Sequence, residues 1–99
     1  MQHHVYFWLK DEVKDAAARA EFEAGLATLF EIPEVAGGRW AVPAVVELRP
    51  VVDQSWDYAL TMDFNSLEDQ FVYQDHPAHH AFIEAHKDRW ARVLVMDLA

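Results

Sequence analysis

Tyr73-Gln74-Asp75-His76-Pro77-Ala78-His79-His80-Ala81-Phe82 combines a phenol, three imidazoles and a proline able to open a helix. No other segment of the 99-residue chain concentrates so many groups that move a proton near neutral pH. Pro77 favours the first position of a helix, where its missing N–H costs nothing. The residue before a proline avoids α geometry, so a preceding helix ends near His76. The stretch therefore reads as a break between two helices, with Tyr73 on one side and His79 on the other.

Working outward, Ser66 can N-cap the first of these helices, with Asp69 three residues on. This helix runs to about Gln74 and is expected to bury Leu67, Phe71 and Val72. The second reaches about Trp90, with His79, Ile83, His86 and Trp90 on one face at 4-3-4 spacing. Val93 to Leu98 follows as a final strand. Upstream, Trp56, Tyr58, Leu60, Met62 and Phe64 alternate with smaller or polar residues, the period-two signature of a strand.

Nearer the start, His3 to Lys10 is apolar on both faces and reads as a strand buried on both sides. Period two places His4, Tyr6 and Trp8 on one face and His3, Val5, Phe7 and Leu9 on the other. After a charged turn at Lys10 to Val13, a helix is expected from Asp15 to about Glu31. Its apolar stripe is Ala18, Phe22, Leu26, Leu29 and Phe30. Asp15/Arg19 and Arg19/Glu23 have the spacing of i,i+4 ion pairs, each contributing roughly 0.3–0.5 kcal/mol. Gly37-Gly38 punctuates, and Arg39 to Val42 is a short edge strand ahead of Pro43. Residues 43–55 are irregular.

The order is β-α-β-β-α-β with the second helix broken at Pro77. It predicts an α+β, ferredoxin-like fold with helices on one face of an antiparallel sheet, in a single domain over residues 1–99. The other sheet face would display Val5, Phe7 and Leu9 with Leu94, Met96 and Leu98, or their alternates. A bare patch of that size is unusual on a monomer, so two chains are expected to pack sheet on sheet as a homodimer.

Composition narrows the function. The net charge of −9 disfavours nucleic-acid backbones and anionic membranes. No apolar run approaches a membrane span. There are no cysteines, which excludes thiolate metal sites and suits a cytoplasmic protein. His3 and His4 point to opposite faces, and His79 and His86 lie roughly 10 Å apart along a helix, so no metal site is expected. No phosphate-binding glycine loop or nucleophile elbow is present.

The pieces resemble the stress-responsive dimeric α/β-barrel family, known as Dabb. The resemblance rests on His3-His4-Val5-Tyr6-Phe7-Trp8-Leu9-Lys10, Leu29 with Ile32-Pro33-Glu34-Val35, Asp57-Tyr58-Ala59-Leu60, Phe64-Asn65-Ser66, Tyr73-x-x-His76-Pro77-x-His79 and Val95-Met96-Asp97. It implies a ferredoxin-like monomer and a barrel-like dimer. One branch includes a plant polyketide cyclase that forms olivetolic acid by aldol condensation without cofactor or metal. Its acid/base pair falls on Tyr73 and His79, and its N-terminal strand histidine on His4. In that chemistry His79 would be the base, Tyr73 the donor to the enolate oxygen and His4 an orienting group. His4, Tyr6, Trp8, Phe22, Leu60, Met62 and Trp90 would line the pocket. Tyr6, Trp8 and Met62 are bulkier than the cyclase's aliphatic wall.

Two readings stay open. In one, an apolar pocket takes a small hydrophobic or carbonyl compound and no cofactor. In the other, the protein is a non-catalytic stress or interaction module whose cavity is filled by Trp8, Tyr6 and Trp90.

Overall fold

The computed structural model describes residues 1–99. Its order is β1 (Gln2–Leu9), α1 (Ala16–Leu29), β2 (Gly37–Ala41), β3 (Tyr58–Asp63), α2 (Leu67–Asp75), α3 (Pro77–His86) and β4 (Trp90–Leu98), with short 3-10 turns at Asp11–Val13 and Lys87–Arg89. The four strands form one antiparallel sheet in the order β2-β3-β1-β4. This is the ferredoxin-like arrangement, with β1 and β3 in the centre and β2 and β4 at the edges. No helix is long and apolar enough to cross a membrane.

Local chemistry sets the helix ends. The Asp15 carboxylate accepts from the Ala18 N–H and caps α1, and Ser66 Oγ accepts from the Asp69 N–H at 3.1 Å to cap α2. His76 separates α2 from α3 and caps the second of them, its Nδ1 accepting from the Ala78 N–H at 3.0 Å while Pro77 opens the helix. Arg19 makes a different pairing from the one its spacing predicts. It reaches Asp57 at 3.3 Å, because Asp57 is held near the sheet by accepting from the Leu9 N–H.

The helices cover one sheet face. Val5, Phe7, Leu9, Phe22, Leu26, Leu29, Ile32, Tyr58, Leu60, Met62, Phe64, Tyr73 and Phe82 form the buried cluster. Phe22 lies at its centre, its ring 5.3 Å from Phe7 and 5.2 Å from Tyr58. Helices α1 and α3 approach closely at Gly25, where any Cβ would meet the His86 ring at 2.3 Å. Gly38 adopts φ +115° and lies against the Thr61 backbone, so the β2 edge needs glycine there.

One open alternative is settled and two expectations are corrected. The helix-facing side of β1 is His3, Val5, Phe7 and Leu9, all buried; the exposed face carries His4, Tyr6 and Trp8 with Leu94 and Met96. Trp56 lies outside β3 and packs its ring on Tyr6 at 5.5 Å, on the exposed face, because the strand begins only at Tyr58. Helix α2 buries Gln70 and Tyr73 and leaves Leu67, Phe71 and Val72 exposed. His86, on the helix face it shares with His79 and Ile83, is half-buried between α1 and α3.

Trp90 reaches the helix side by a route the helical spacing did not suggest. It belongs to β4, and the pairing Trp8↔Arg92 is followed by Leu9↔Trp90, which skips Ala91. Such a bulge reverses the parity of the strand beyond it. Trp90 therefore joins Leu9 on the helix side, with its ring 5.4 Å from Phe7.

Candidate functional site

Where α2 and α3 pass over β1 and β4, the helix layer leaves a cavity of about 250 Å³. Ten of its fifteen lining residues are hydrophobic, so the site is apolar with few polar groups, the usual character of a small-molecule site. Those groups cluster. His3, Tyr73, His79, Asp97, Gln70 and Gln74 all line it.

The helix break brings the two motif residues together. Tyr73 lies in the last turn of α2 and His79 in the first turn of α3, and their rings meet edge-on at 4.8 Å between centroids. The extended conformation of His76 ahead of Pro77 breaks the helix and allows this contact; six residues of unbroken helix would place the two about 9 Å apart along the axis. Both are buried. Burial pushes the Tyr73 phenol far above its ordinary value, so it stays protonated and can donate. Burial, then the neighbouring His80 and His3, hold His79 below the usual imidazole value. A neutral His79 is a base rather than a cation at neutral pH. Its Nδ1 is buried without a hydrogen-bond partner.

The strands supply a second pair. His3 and Asp97 are directly opposite in the β1/β4 register, and His3 Nδ1 lies 2.5 Å from Asp97 Oδ1. Donation from Nδ1–H to the carboxylate fixes the tautomer and leaves Nε2 as the basic nitrogen. The His3 ring is 5.9 Å from Tyr73. Gln70 donates from Nε2 to Gln74 Oε1 at 3.0 Å, which orders the polar wall on α2.

Among the residues expected at the pocket, Leu60 and Trp90 line this cavity beside Tyr73 and His79. Phe22 and Met62 do not line it and are fully buried in the core. His4, Tyr6 and Trp8 stand on the opposite sheet face. Tyr6 and Trp8 border a separate, shallower hollow with Trp56, Leu94 and Met96. Trp8 is anchored there by donating from Nε1 to Ser55 Oγ at 2.9 Å, and Arg92 lies over its ring. The bulky rings therefore do not fill the cavity.

His3 and Asp97 were missed, although each left a sign. Asp97 is the lone carboxylate of the last strand, within the otherwise apolar run Val93 to Leu98, and His3 shares parity with the core residues Val5 and Phe7. Gln70 left no comparable sign.

Residues 1–99 match the family described as Stress responsive A/B Barrel Domain. No curated protein sequence matches the chain. Among solved structures, an Arabidopsis thaliana protein is 25% identical with a TM-score of 0.82, covering 99% of this chain and 92% of that one. A dimeric ferredoxin-like protein of unknown function from Thermobifida fusca is 22% identical with a TM-score of 0.78, covering 99% and 88%. The hydroxynitrile lyase of Passiflora edulis is 19% identical with a TM-score of 0.75, covering 96% and 87%.

Proposed function

This chain belongs to the stress responsive A/B barrel domain family, and from that premise we propose that it is a homodimer binding a small apolar carbonyl compound and acting on it by cofactor-free proton transfer. The observation that carries the reading is the convergence of Tyr73, His79 and the His3–Asp97 pair on one apolar cavity.

In this mechanism the neutral His79 imidazole takes a proton from the carbon beside the carbonyl. The C–H electron pair moves toward the carbonyl oxygen, and the Tyr73 phenol donates a hydrogen bond to the resulting enolate. The enolate carbon then forms a bond to a second carbonyl of the same molecule. His79 returns its proton to the new alkoxide, so the proton balance closes without a cofactor. His3, with its tautomer fixed by Asp97, takes the orienting role first assigned to His4. The cavity lies just below the usual range of about 300–1,000 Å³, which suits a compact substrate rather than a long chain.

Dimerisation is supported by the exposed sheet face. Tyr6, Trp8, Trp56, Leu94 and Met96 form an aromatic and aliphatic surface on an isolated chain. Val45, Leu48 and Val51 of the connection between β2 and β3 are also exposed. Several solved structures of this fold are described as dimeric. Light scattering at micromolar concentration should give twice the chain mass; a monomer there refutes the assembly.

The chemistry can be tested without knowing the substrate. Benzylacetone in heavy water reports base catalysis through exchange of the protons beside its carbonyl. The wild type should accelerate this exchange, and His79→Ala or Tyr73→Phe should lose about a hundredfold or more of the acceleration. Binding with no accelerated exchange would reduce the protein to a binding module. Equal exchange in wild type and both variants refutes the roles of the pair.

A further inference from the structure

The cavity has a mouth. Among its lining residues Gln74, Val93, Val95 and Asp97 are exposed, while His3, Tyr73 and His79 are buried. It therefore opens between the end of α2 and the edge strand β4, with the Tyr73 and His79 rings inside. Asp97 stands at that mouth, its side chain half-exposed and one oxygen held by His3 Nδ1. With the imidazole neutral, the pair carries one negative charge. The steps inward are short: the His3 ring is 5.9 Å from Tyr73, and Tyr73 is 4.8 Å from His79. A charge bonded to a carbonyl held by Tyr73 and His79 would lie about 8–10 Å from this carboxylate. At that range, with an effective dielectric near 20, two like charges lower affinity by about fifteenfold to thirtyfold.

No cation offsets that charge. Neither lysine nor arginine lines the cavity. The basic residues nearest in sequence to its β4 wall are engaged elsewhere. Lys87 donates to Glu84 at 3.0 Å, and Arg89 donates to Glu21 at 2.6 Å and to the Ala18 carbonyl. Arg92 lies over the Trp8 ring on the opposite sheet face. A carboxylate entering the cavity would lose water and meet no charged donor in exchange.

We propose that Asp97 is a charge filter at the mouth of the cavity, admitting uncharged carbonyl compounds and excluding keto acids. A keto acid must then lose its carboxylate, or have it masked as an ester, before it can enter. This rests on the small-carbonyl reading above and names the charge class of its substrate. It gives Asp97 a second effect, repelling anions, that is separable from orienting His3.

Benzylpyruvate and phenethyl isopropyl ketone have nearly the same size and shape, but only the first is an anion. Titration of the wild type followed by NMR should show the ketone binding about a hundredfold tighter, because repulsion and desolvation act together. The methyl ester of benzylpyruvate, its charge masked, should bind within about threefold of the ketone. In Asp97→Asn the preference for ketone over acid should shrink by about tenfold or more. His3→Asn loses the oriented imidazole but keeps the carboxylate, so it should hold the preference to within about threefold of wild type. A merely orienting Asp97 would make the two variants alike. Equal wild-type affinities for acid and ketone, an ester as weak as the acid, a preference unchanged in Asp97→Asn, or one lost equally in His3→Asn overturns the filter and leaves the small-carbonyl reading standing. If none of the three compounds binds the wild type at millimolar concentration, both fail.

Discussion

The two faces of β1 are built from interleaved residues and do different work. His3, Val5, Phe7 and Leu9 are no more than 6% exposed and meet the helices. His4, Tyr6 and Trp8 are half-buried and face away from them. Both sets contain a histidine, aromatic rings and no formal charge. What separates them is the partner layer. On the helix side, His3 meets Asp97 and Tyr73 and becomes part of a polar cluster in an apolar cavity. On the other side, His4 makes only a 3.3 Å contact with Gln2. Identical residue types one position apart thus differ in chemical use because a strand sends neighbours to opposite faces.

The most forceful way to break this comparison is to truncate an aromatic on each face. Phe7→Ala should cost about 3–5 kcal/mol of stability in denaturant unfolding. Trp8→Ala should cost clearly less in the folded chain and instead shift the oligomer equilibrium toward monomer. Equal losses of stability would show that the two faces are packed alike.

The histidines give a finer test. His3→Asn should slow ketone exchange by about tenfold or more, whereas His4→Asn should leave it within about twofold. Asp97→Asn should resemble His3→Asn, because an amide can also donate to the imidazole and so no longer holds His3 to the single tautomer that an acceptor-only carboxylate imposes. A larger effect from His4 would return the orienting role to the exposed face.

The smallest expected effect is the pH response of the helix-side histidines. Burial is the first cause that lowers both His79 and His86, with Arg89 adding to it at His86. The unfolded chain therefore binds more protons than the folded one between their depressed values and the ordinary imidazole value of about 6.5. Stability from these two residues is complete above that ordinary value and is lost as pH falls below it. Unfolding measured from neutral pH to moderate acid should show this decline, and His86→Leu should flatten it. An unchanged slope in His86→Leu removes that histidine from the account. In catalysis the same depression keeps His79 in its neutral, proton-accepting form, so exchange should fall on acidification and stay level above neutrality.

Much of this fold was legible because it follows from short-range chemistry. Ser66 and Asp15 are capping residues whose action spans three positions. His76-Pro77 had to break a helix, and the break is what brings Tyr73 and His79 together. Strand alternation separated His3 from His4 without any coordinates.

Tertiary structure decided the sign of each pattern. A strand apolar on both faces has a period but no marked inside, so only the helix layer could assign His3 and not His4 to the cavity. Helix α2 carries its apolar residues on more than one face, Leu67 and Phe71 on one and Tyr73 on another, so its own pattern does not mark an inside; packing selected Gln70 and Tyr73 over Leu67, Phe71 and Val72. A single skipped residue at Ala91 moved Trp90 to the helix side. The sequence by itself determined the elements, their order and the meeting of Tyr73 with His79, because those depend on local backbone preference. Which faces meet, and hence the His3–Asp97 pair and the place of Trp90, depended on contacts between residues up to 94 positions apart, for which no local pattern carries the information.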